Sequence, residues 1–224
     1  MALPIAVLVS GSGSNLQALI DRMEAGVLDA RISLVFSNRP DAHGLERARI
    51  HGLPNLCIPH GKYQDRLEFD RAMARAIKDA GAEAVVLAGF MRLLSAEFLL
   101  SFPNRVVNIH PALLPSFPGV HGQRAAADYG VTLAGCTAHF VDEHLDHGPV
   151  IIQAAVPAYA DDDAQTLGGR ILALEHRILP QAVQWLAEGR LRIEGRKVRL
   201  LPASAPLAPA SAGALVNPPL ELGF

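Results

Sequence analysis

The sequence predicts an α/β domain with a doubly wound, mostly parallel sheet and helices on both faces. Three observations support this fold class. Short apolar runs alternate with longer segments of helical periodicity, and the apolar runs contain few polar residues, as strands buried on both faces do. A length of 224 residues with 50% hydrophobic side chains is sufficient for one large core.

Five apolar runs in the first half of the chain predict strands, and four amphipathic segments among them predict helices. The predicted strands are Ile5–Val9, Ile32–Phe36, Leu56–Ile58, Ala84–Leu87 and Val106–Ile109. The predicted helices are Leu16–Met23, Gly44–Ile50, Arg66–Ala80 and Ala96–Phe102. This alternation of strands and helices is typical of a parallel sheet.

The pattern changes in the second half of the chain. Gly135–Asp142 and Val150–Val156 flank a polar segment and predict a late strand pair that could be antiparallel. Ala164–Glu188 predicts one long closing helix. We therefore expect residues 1–201 to form the folded domain. Residues 202–224 contain five prolines, six alanines and one charged side chain, and we expect them to be a tail outside the core.

The composition argues against several classes of protein. With 20 basic and 22 acidic residues the formal charge is −2, so we expect no nucleic-acid partner. No apolar run approaches the ~20 residues of a membrane span and no signal peptide is recognisable, so we expect a soluble protein with no membrane partner. The two cysteines, Cys57 and Cys136, cannot form a disulfide framework, which favours the reducing cytoplasm.

A loop of glycine and serine, residues 10–15, connects the first predicted strand to the first predicted helix. Glycine permits close backbone approach, and the unpaired N–H groups at a helix start favour an anion such as phosphate. The alternative is a tight turn in which Ser14 or Asn15 caps the helix. A dinucleotide fingerprint would need a glycine where Leu16 stands, so NAD binding is not expected.

Asn108 and His110 lie on one face of the fifth predicted strand, near its carboxyl end, and Pro111 ends that strand. Open α/β sheets bind ligands at this edge. An amide donor beside an imidazole suits oxyanion stabilisation and general acid–base catalysis. The alternative is a hydrogen-bonded core histidine next to a turn-forming asparagine.

A second polar cluster, residues 139–147, holds three histidines and three acids between the late strands. Its spacing matches no known metal motif, so no metal is expected. A carboxylate of this cluster could orient His110, although the residue pattern does not select Asp146 from the three acids. A solvated acidic turn is the alternative for most of these residues.

Four segments occur in a characteristic order: the loop 10–15, Ala88–Ser95, Asn108–Pro115 and Leu145–Val150. Together they resemble the folate-dependent phosphoribosylglycinamide formyltransferase family of purine synthesis, over a region from about residue 5 to about residue 200. The resemblance implies that residues 1–201 form a catalytic domain with the formyltransferase fold. It also implies formyl transfer from 10-formyltetrahydrofolate to the primary amine of glycinamide ribonucleotide.

The resemblance further implies a role for each site residue. Asn108 would hydrogen-bond the formyl oxygen, His110 would donate a proton, and Asp146 would order a water that relays protons from the amine. The ribonucleotide would contact Gly13, Ser14, Asn15 and Glu175. The formylfolate would contact Arg66, Met91, Arg92, Leu93, Leu94, Asn108, Asp142, Glu143, His144, Leu145 and Asp146. No metal is implied, and we expect a monomer or a homodimer. Taken alone, the apolar members of this set would be core residues and the arginines surface charges.

Other functions are compatible with the same residues. Methionyl-tRNA formyltransferases are similar but add an RNA-binding domain, and formyltetrahydrofolate deformylases are similar but add an N-terminal domain. Hydrolysis of the formylfolate is therefore the second hypothesis, and a folate- or nucleotide-binding module without turnover is the third. Ala112 and His147 depart from the family pattern, in which serine and glycine are frequent at these positions.

Overall fold

The computed structural model describes residues 2–202, 208 and 213–224, which form one mixed sheet of ten strands with helices on both faces. The strands are β1 (Leu3–Val9), β2 (Ala30–Ser37), β3 (Asn55–Cys57), β4 (Ala84–Leu87), β5 (Val106–His110), β6 (Leu133–Phe140), β7 (Val150–Pro157), β8 (Leu191–Glu194), β9 (Lys197–Leu200) and β10 (Leu215–Asn217). The helices are α1 (Ser14–Glu24), α2 (His43–Ile50), α3 (Arg66–Asp79), α4 (Ala96–Ser101), α5 (Gly122–Tyr129) and α6 (Ala164–Ala187), with a short 3₁₀ turn at His60–Lys62.

The strand order is β3-β2-β1-β4-β5-β6-β7-β9-β8, and β10 pairs with β7. The first five strands in this order are parallel, whereas β6 runs antiparallel to both β5 and β7. The predicted fold class is therefore confirmed, and so is the antiparallel late pair. Because the order reverses at β1 and β4, the carboxyl ends of these two strands flank the switch point of the sheet.

Both faces of the sheet are buried, as the apolar strand runs predicted. Along β1, Ile5, Val7 and Val9 face a core cluster that also contains residues of α1 and α6. The alternate residues Ala6 and Leu8 face a second cluster built from α3 and α4. The period of two along the strand thus divides one strand between two cores.

The predicted elements agree with the observed ones within a few residues at each end. Three features were not predicted: helix α5, the β8–β9 hairpin and strand β10. The buried positions of α5 are Gly122 and Ala126, which produce little apolar periodicity. The hairpin strands do alternate between apolar and polar residues, but each is only four residues long, which is too short for a clear strand signal.

The expectation that residues 202–224 lie outside the core is wrong for residues 213–224. Strand β10 pairs antiparallel with β7, placing Leu215 opposite Ala155. Leu220 and Phe224 are 5% and 7% exposed and belong to the core cluster under α6. The low charge of this segment therefore reflects burial of apolar side chains against a sheet edge. Residues 203–207 and 209–212 of the predicted tail lie outside the described residues.

Within the described residues, no helix has both the length and the apolar character needed to cross a bilayer.

Candidate active site

The loops that follow β1 and β4 meet at the carboxyl edge of the sheet. The Ser10 N–H donates to the Gly89 carbonyl at 3.1 Å, and the Met91 N–H donates to the Ser10 hydroxyl at 3.0 Å. That hydroxyl in turn donates to Asn38 Oδ1 at 2.7 Å. The loop after β4 is therefore held by the end of β1, next to the position where β5 presents its polar side chains.

The structure brings Asn108, His110 and Asp146 together. Asn108 and His110 come from β5, and Asp146 comes from the connection between β6 and β7. One Asp146 oxygen lies 3.4 Å from His110 Nδ1, and the other lies 3.5 Å from Asn108 Nδ2. The side chains of His110 and Asp146 are 5% and 8% exposed. The three residues thus form a nearly closed polar group at the strand end.

The Asp146 carboxylate is oriented by the backbone on both sides. Its own residue has a left-handed φ of 48°, which turns the chain sharply at this point. The Gly119 N–H donates to Asp146 Oδ2 at 2.7 Å, so the segment after β5 holds the same carboxylate that faces His110. A buried carboxylate that accepts hydrogen bonds is kept in one orientation.

Both ring nitrogens of His110 face acceptors. The Nε2 atom lies 2.8 Å from the Phe117 carbonyl oxygen, which can only accept, so Nε2 carries a hydrogen. The Nδ1 atom faces the Asp146 carboxylate. Each ring nitrogen of His110 therefore lies within 3.4 Å of an acceptor oxygen, which fixes the orientation of the ring.

The antiparallel register adds His139 to this group, a residue that was not among the predicted site residues. His139 lies opposite Asn108, and its Nε2 is 3.1 Å from Asn108 Nδ2. Its Nδ1 donates to the Phe140 carbonyl at 2.8 Å, so Nε2 is free to accept. Burial lowers the pKa of His139 below its usual value, and the hydrogen bond to Phe140 and the charge of Asp146 oppose this only in part. A neutral His139 therefore orients the Asn108 amide.

Thr137, two residues earlier on the same face of β6, holds the loop after β5. Its hydroxyl donates to the Ala112 carbonyl at 2.7 Å and accepts from the Leu114 N–H at 3.1 Å. Gln153 donates to the Leu114 carbonyl at 3.0 Å. The loop is thus fixed by its backbone, and the buried Ala112 side chain needs no hydroxyl for this.

The glycine loop ends in a helix start that suits an anion. Gly13 is the residue before α1 and has a φ of 70°, so Ser14 and Asn15 are helical residues and not caps. The first intrahelical bond runs from the Gln17 N–H to the Gly13 carbonyl. The N–H groups before it have no partner in the helix and lie at the positive end of its dipole. This arrangement supports the anion-binding interpretation of the loop.

Asn15 and Glu175 meet although 160 residues separate them. Asn15 Nδ2 donates to Glu175 Oε2 at 2.7 Å, and both residues are buried. Asn15 Oδ1 and Glu175 Oε1 have no hydrogen-bond partner among the described residues. Burial raises the pKa of Glu175, and the hydrogen bond from Asn15 opposes that shift. A ligand that brings hydroxyl donors would satisfy these buried acceptors.

The residues predicted to contact a formylfolate differ in exposure. Met91, Leu93 and Leu145 are 66%, 49% and 51% exposed, which is unusual for large apolar side chains and provides an apolar surface. Leu94 is 6% exposed and packs in the core, so only its backbone can reach a ligand at this surface.

The two predicted arginines lie near helix α3. Arg66 is exposed at the first position of α3. The Arg92 guanidinium lies over the ring of Phe69, 4.9 Å from its centre, and Phe69 is one helical turn after Arg66. Arg92 Nε is buried and has no hydrogen-bond partner among the described residues. Glu143 and His144 are exposed on the segment that leads to Asp146, and Asp142 is half-buried there.

This site on a doubly wound sheet is that of an α/β transferase, and the chain belongs to the formyl transferase family, whose model matches residues 3–183. Among curated relatives, it is 43% identical over 189 residues to a phosphoribosylglycinamide formyltransferase of Escherichia coli (strain K12), covering 84% of this chain and 89% of that one. It is 48% identical over 190 residues to the trifunctional purine biosynthetic protein adenosine-3 of Drosophila pseudoobscura pseudoobscura, covering 84% of this chain. The chain spans only 14% of that relative's length.

A crystal structure of glycinamide ribonucleotide transformylase 1 from Symbiobacterium toebii superposes with a TM-score of 0.88. The two chains are 50% identical, and the match covers 90% of this chain and 95% of the other. The likeness therefore includes nearly the whole fold.

Proposed function

We propose that this protein transfers the formyl group of 10-formyltetrahydrofolate to the primary amine of N1-(5-phosphoribosyl)glycinamide. The products are formylglycinamide ribonucleotide and tetrahydrofolate, in de novo purine biosynthesis. The observation that carries the proposal is that the Asp146 carboxylate lies 3.4 Å from His110 Nδ1 and 3.5 Å from Asn108 Nδ2 at the strand end. The named activity of the Escherichia coli relative supports the same substrate pair.

The chemistry requires charge stabilisation at two atoms. When the amine attacks the formyl carbon, negative charge develops on the formyl oxygen and positive charge on the attacking nitrogen. The Asn108 amide supplies an N–H donor for the oxygen, and the His110 ring can supply a second one when substrate replaces one of its present acceptors. The second N–H of the Asn108 amide, now 3.5 Å from Asp146, is only weakly used and can turn to the formyl oxygen.

Collapse of the tetrahedral intermediate breaks the bond between the formyl carbon and the folate nitrogen. The amine loses one proton and the folate nitrogen gains one, so no net proton is consumed. Asp146 accepts the proton through an ordered water, and His110 supports its return to the leaving nitrogen. No step uses a nucleophilic side chain or a metal ion.

The ribonucleotide fits the distance between the two halves of the site. Strand β4 lies between β1 and β5, so the strand that leads to Gly13 and the strand that carries Asn108 are two strand spacings apart, about 10 Å. A phosphate on Gly13, Ser14 and Asn15 then leaves the ribose hydroxyls near the orphaned oxygen of Glu175 and extends the amine toward Asn108.

The formylfolate is proposed to occupy the apolar surface on the other side of the three central residues. Met91, Leu93 and Leu145 supply exposed apolar side chains for its ring system. Backbone groups of the loop after β4 would form hydrogen bonds to the ring edge, including those of Leu94. Arg66 and Arg92 supply positive charge for the carboxylates of the folate.

The polar segment Asp142–His144 would form the wall of the folate pocket. This proposal needs no nucleic acid and no membrane surface. A cytoplasmic location agrees with the two free thiols of Cys57 and Cys136. Each site residue comes from one chain, so a monomer or a homodimer can carry out the reaction.

The test is an assay of tetrahydrofolate release from 10-formyltetrahydrofolate, run with and without glycinamide ribonucleotide. Release that depends on the ribonucleotide, with one formylated ribonucleotide formed per tetrahydrofolate, is the expected result. Equal release in both reactions would favour hydrolysis. Binding of both compounds without turnover would favour a non-catalytic module.

A further inference from the structure

We propose that Asp142, His144 and His147 bind a divalent transition-metal cation, Zn²⁺ being the best match. These residues lie on the segment between β6 and β7, around Asp146. One ligand atom from each of the three lies within 4.8 Å of the other two. Asp142 and His144 also belong to the proposed wall of the folate pocket, but the cation-binding proposal does not rest on formyl transfer.

The geometry is already close to that of a metal site. His147 Nδ1 lies 3.0 Å from Asp142 Oδ2, near the roughly 3.3 Å that separates neighbouring ligand atoms in a tetrahedral zinc site. The rings of His144 and His147 lie with their centres 5.2 Å apart. Because both rings are exposed, a rotation of His144 can bring the third ligand inward without moving the core.

The backbone keeps the three residues together. The His144 N–H donates to Asp142 Oδ1 at 3.0 Å, so one carboxylate oxygen anchors the turn while the other faces His147. The left-handed conformation of Asp146 turns the chain back, which brings His147 beside a residue five positions earlier. The spacing of these residues matched no known metal motif in the sequence because it depends on this local turn.

The donor set selects the kind of cation. Two imidazoles and one carboxylate suit Zn²⁺ and similar borderline ions, whereas Ca²⁺ and Mg²⁺ prefer oxygen ligands. Three protein ligands leave a position for water. Asp142 has 32% and His147 has 52% of its side chain exposed, so the cation can enter from solvent.

Arg196, in the turn between β8 and β9, competes with the cation. Its Nη1 lies 3.0 and 2.9 Å from the two ring nitrogens of His147, and its Nη2 donates to the His147 carbonyl at 2.7 Å. The guanidinium is a fixed positive charge next to a proposed ligand. Replacing Arg196 with a neutral residue should therefore tighten metal binding, whereas replacing one of the three ligands should weaken it.

The experiment is a Zn²⁺ titration by calorimetry, with the visible absorption of bound Co²⁺ as a second readout, on protein without a histidine tag. Wild type is expected to bind one equivalent. His147→Gln and His144→Gln should each weaken binding by about 10-fold or more, and Arg196→Gln should tighten it by about 3-fold or more. His43→Gln, at an exposed histidine of α2, is the matched control and should leave the affinity unchanged.

The proposal is overturned if wild type binds no Zn²⁺ at about 100 μM, a concentration far above the dissociation constant expected of a three-ligand site. It is also overturned if His43→Gln weakens binding as much as His147→Gln does. A weaker affinity in Arg196→Gln would contradict the assignment of His147 as a ligand. Each titration uses folded, folate-free protein, so its result is independent of whether formyl transfer is confirmed.

Discussion

Asp146 receives contacts from three residues in two other parts of the chain. The carboxylate faces the imidazole of His110 and the amide of Asn108, both on β5, and accepts the N–H of Gly119 from the loop after that strand. A neutral amide at this position would keep most of the shape but lose the charge. Asp146 is therefore the residue at which orientation and proton transfer can be separated by one substitution.

Asp146→Asn should lower the turnover of ribonucleotide-dependent formyl transfer by about 10²-fold or more, because one acid–base or electrostatic group contributes that much. Binding of the ribonucleotide should remain near wild type, since the residues proposed to contact its phosphate and ribose lie on α1 and α6. Steady-state kinetics together with direct ribonucleotide binding provide the two measurements. Near-normal turnover would contradict the role given to Asp146.

Glu175 is a residue proposed to bind the ribonucleotide that lowers the stability of the folded protein. Burial raises the pKa of Glu175 above its ordinary 4.5, so the ionised form is disfavoured in the folded protein. The unfolded chain ionises this carboxyl more readily as the pH rises above about 4.5, and the folded state loses stability over that range.

Glu175→Gln should therefore raise the melting temperature relative to wild type, by a difference that grows from about pH 4.5 and levels off once the folded protein also ionises Glu175. The same variant should raise the KM for the ribonucleotide by about 10-fold or more, because the amide has one acceptor oxygen in place of two for the ribose hydroxyls that we propose it binds. Thermal unfolding at several pH values tests the first effect. Glu83→Gln, at an exposed carboxylate, should change neither quantity.

At the scale of elements, the helix start of α1 depends on close contact between two loops. A Cβ at Gly13 would lie 2.6 Å from the Gly44 Cα, at the start of α2, and Gly13 also has a positive φ. Gly44 N–H donates to the Gly11 carbonyl at 3.0 Å, so the loop and α2 are bonded as well as packed. Only glycine satisfies both the conformation and the space.

Gly13→Ala should destabilise the protein by more than about 1–2 kcal/mol, the cost of an alanine in the left-handed conformation, because the backbone of α2 must also move. Gly26→Ala is the matched control, since Gly26 has a φ of 69° but nothing within 4 Å of its Cβ position. Urea unfolding measures the difference between the two variants. The KM for the ribonucleotide should rise in Gly13→Ala alone. Equal stabilities and equal KM values for the two variants would argue against anion binding by the loop 10–15.

The elements differ in how far the sequence predicts them. The bounds of strands buried on both faces and of helices with strong apolar periodicity were predicted within a few residues. The placement of Asn108 and His110 on one face was also predicted, because it needs only the alternation of side chains within β5. His139 could not be selected, because its place opposite Asn108 depends on the antiparallel register. Asp146 could not be selected either, because its position depends on a left-handed turn.

At the scale of the whole molecule, the outer edge of β7 is completed from a distant part of the chain. Strand β10 pairs with the middle of β7, and Leu220 then packs in the core beside α6. The buried Glu221 N–H donates to Gln181 of α6 at 2.7 Å. The Glu221 carboxylate also pairs with Arg190 at 2.7 Å, which compensates for its burial. Strand β10 thus covers the part of β7 that β9, paired with β7 only at Val150, leaves free.

Leu220→Ala should destabilise the protein by about 2–5 kcal/mol, the cost of truncating a buried leucine, and lower the melting temperature by about 2–4 °C for each kcal/mol. Leu222 lies two residues further on and is 62% exposed, so Leu222→Ala should leave the melting temperature within about 1 °C of wild type, as surface substitutions do. Turnover of both variants at 25 °C should stay close to wild type, because Leu220 belongs to the core cluster and is not among the proposed site residues. Thermal unfolding followed by circular dichroism, with turnover assayed on the same samples, makes the comparison.

Equal melting temperatures for the two variants would show that the Leu220 side chain contributes nothing to the stability of the core. A selective loss of turnover in Leu220→Ala would show that this part of the sheet supports the site.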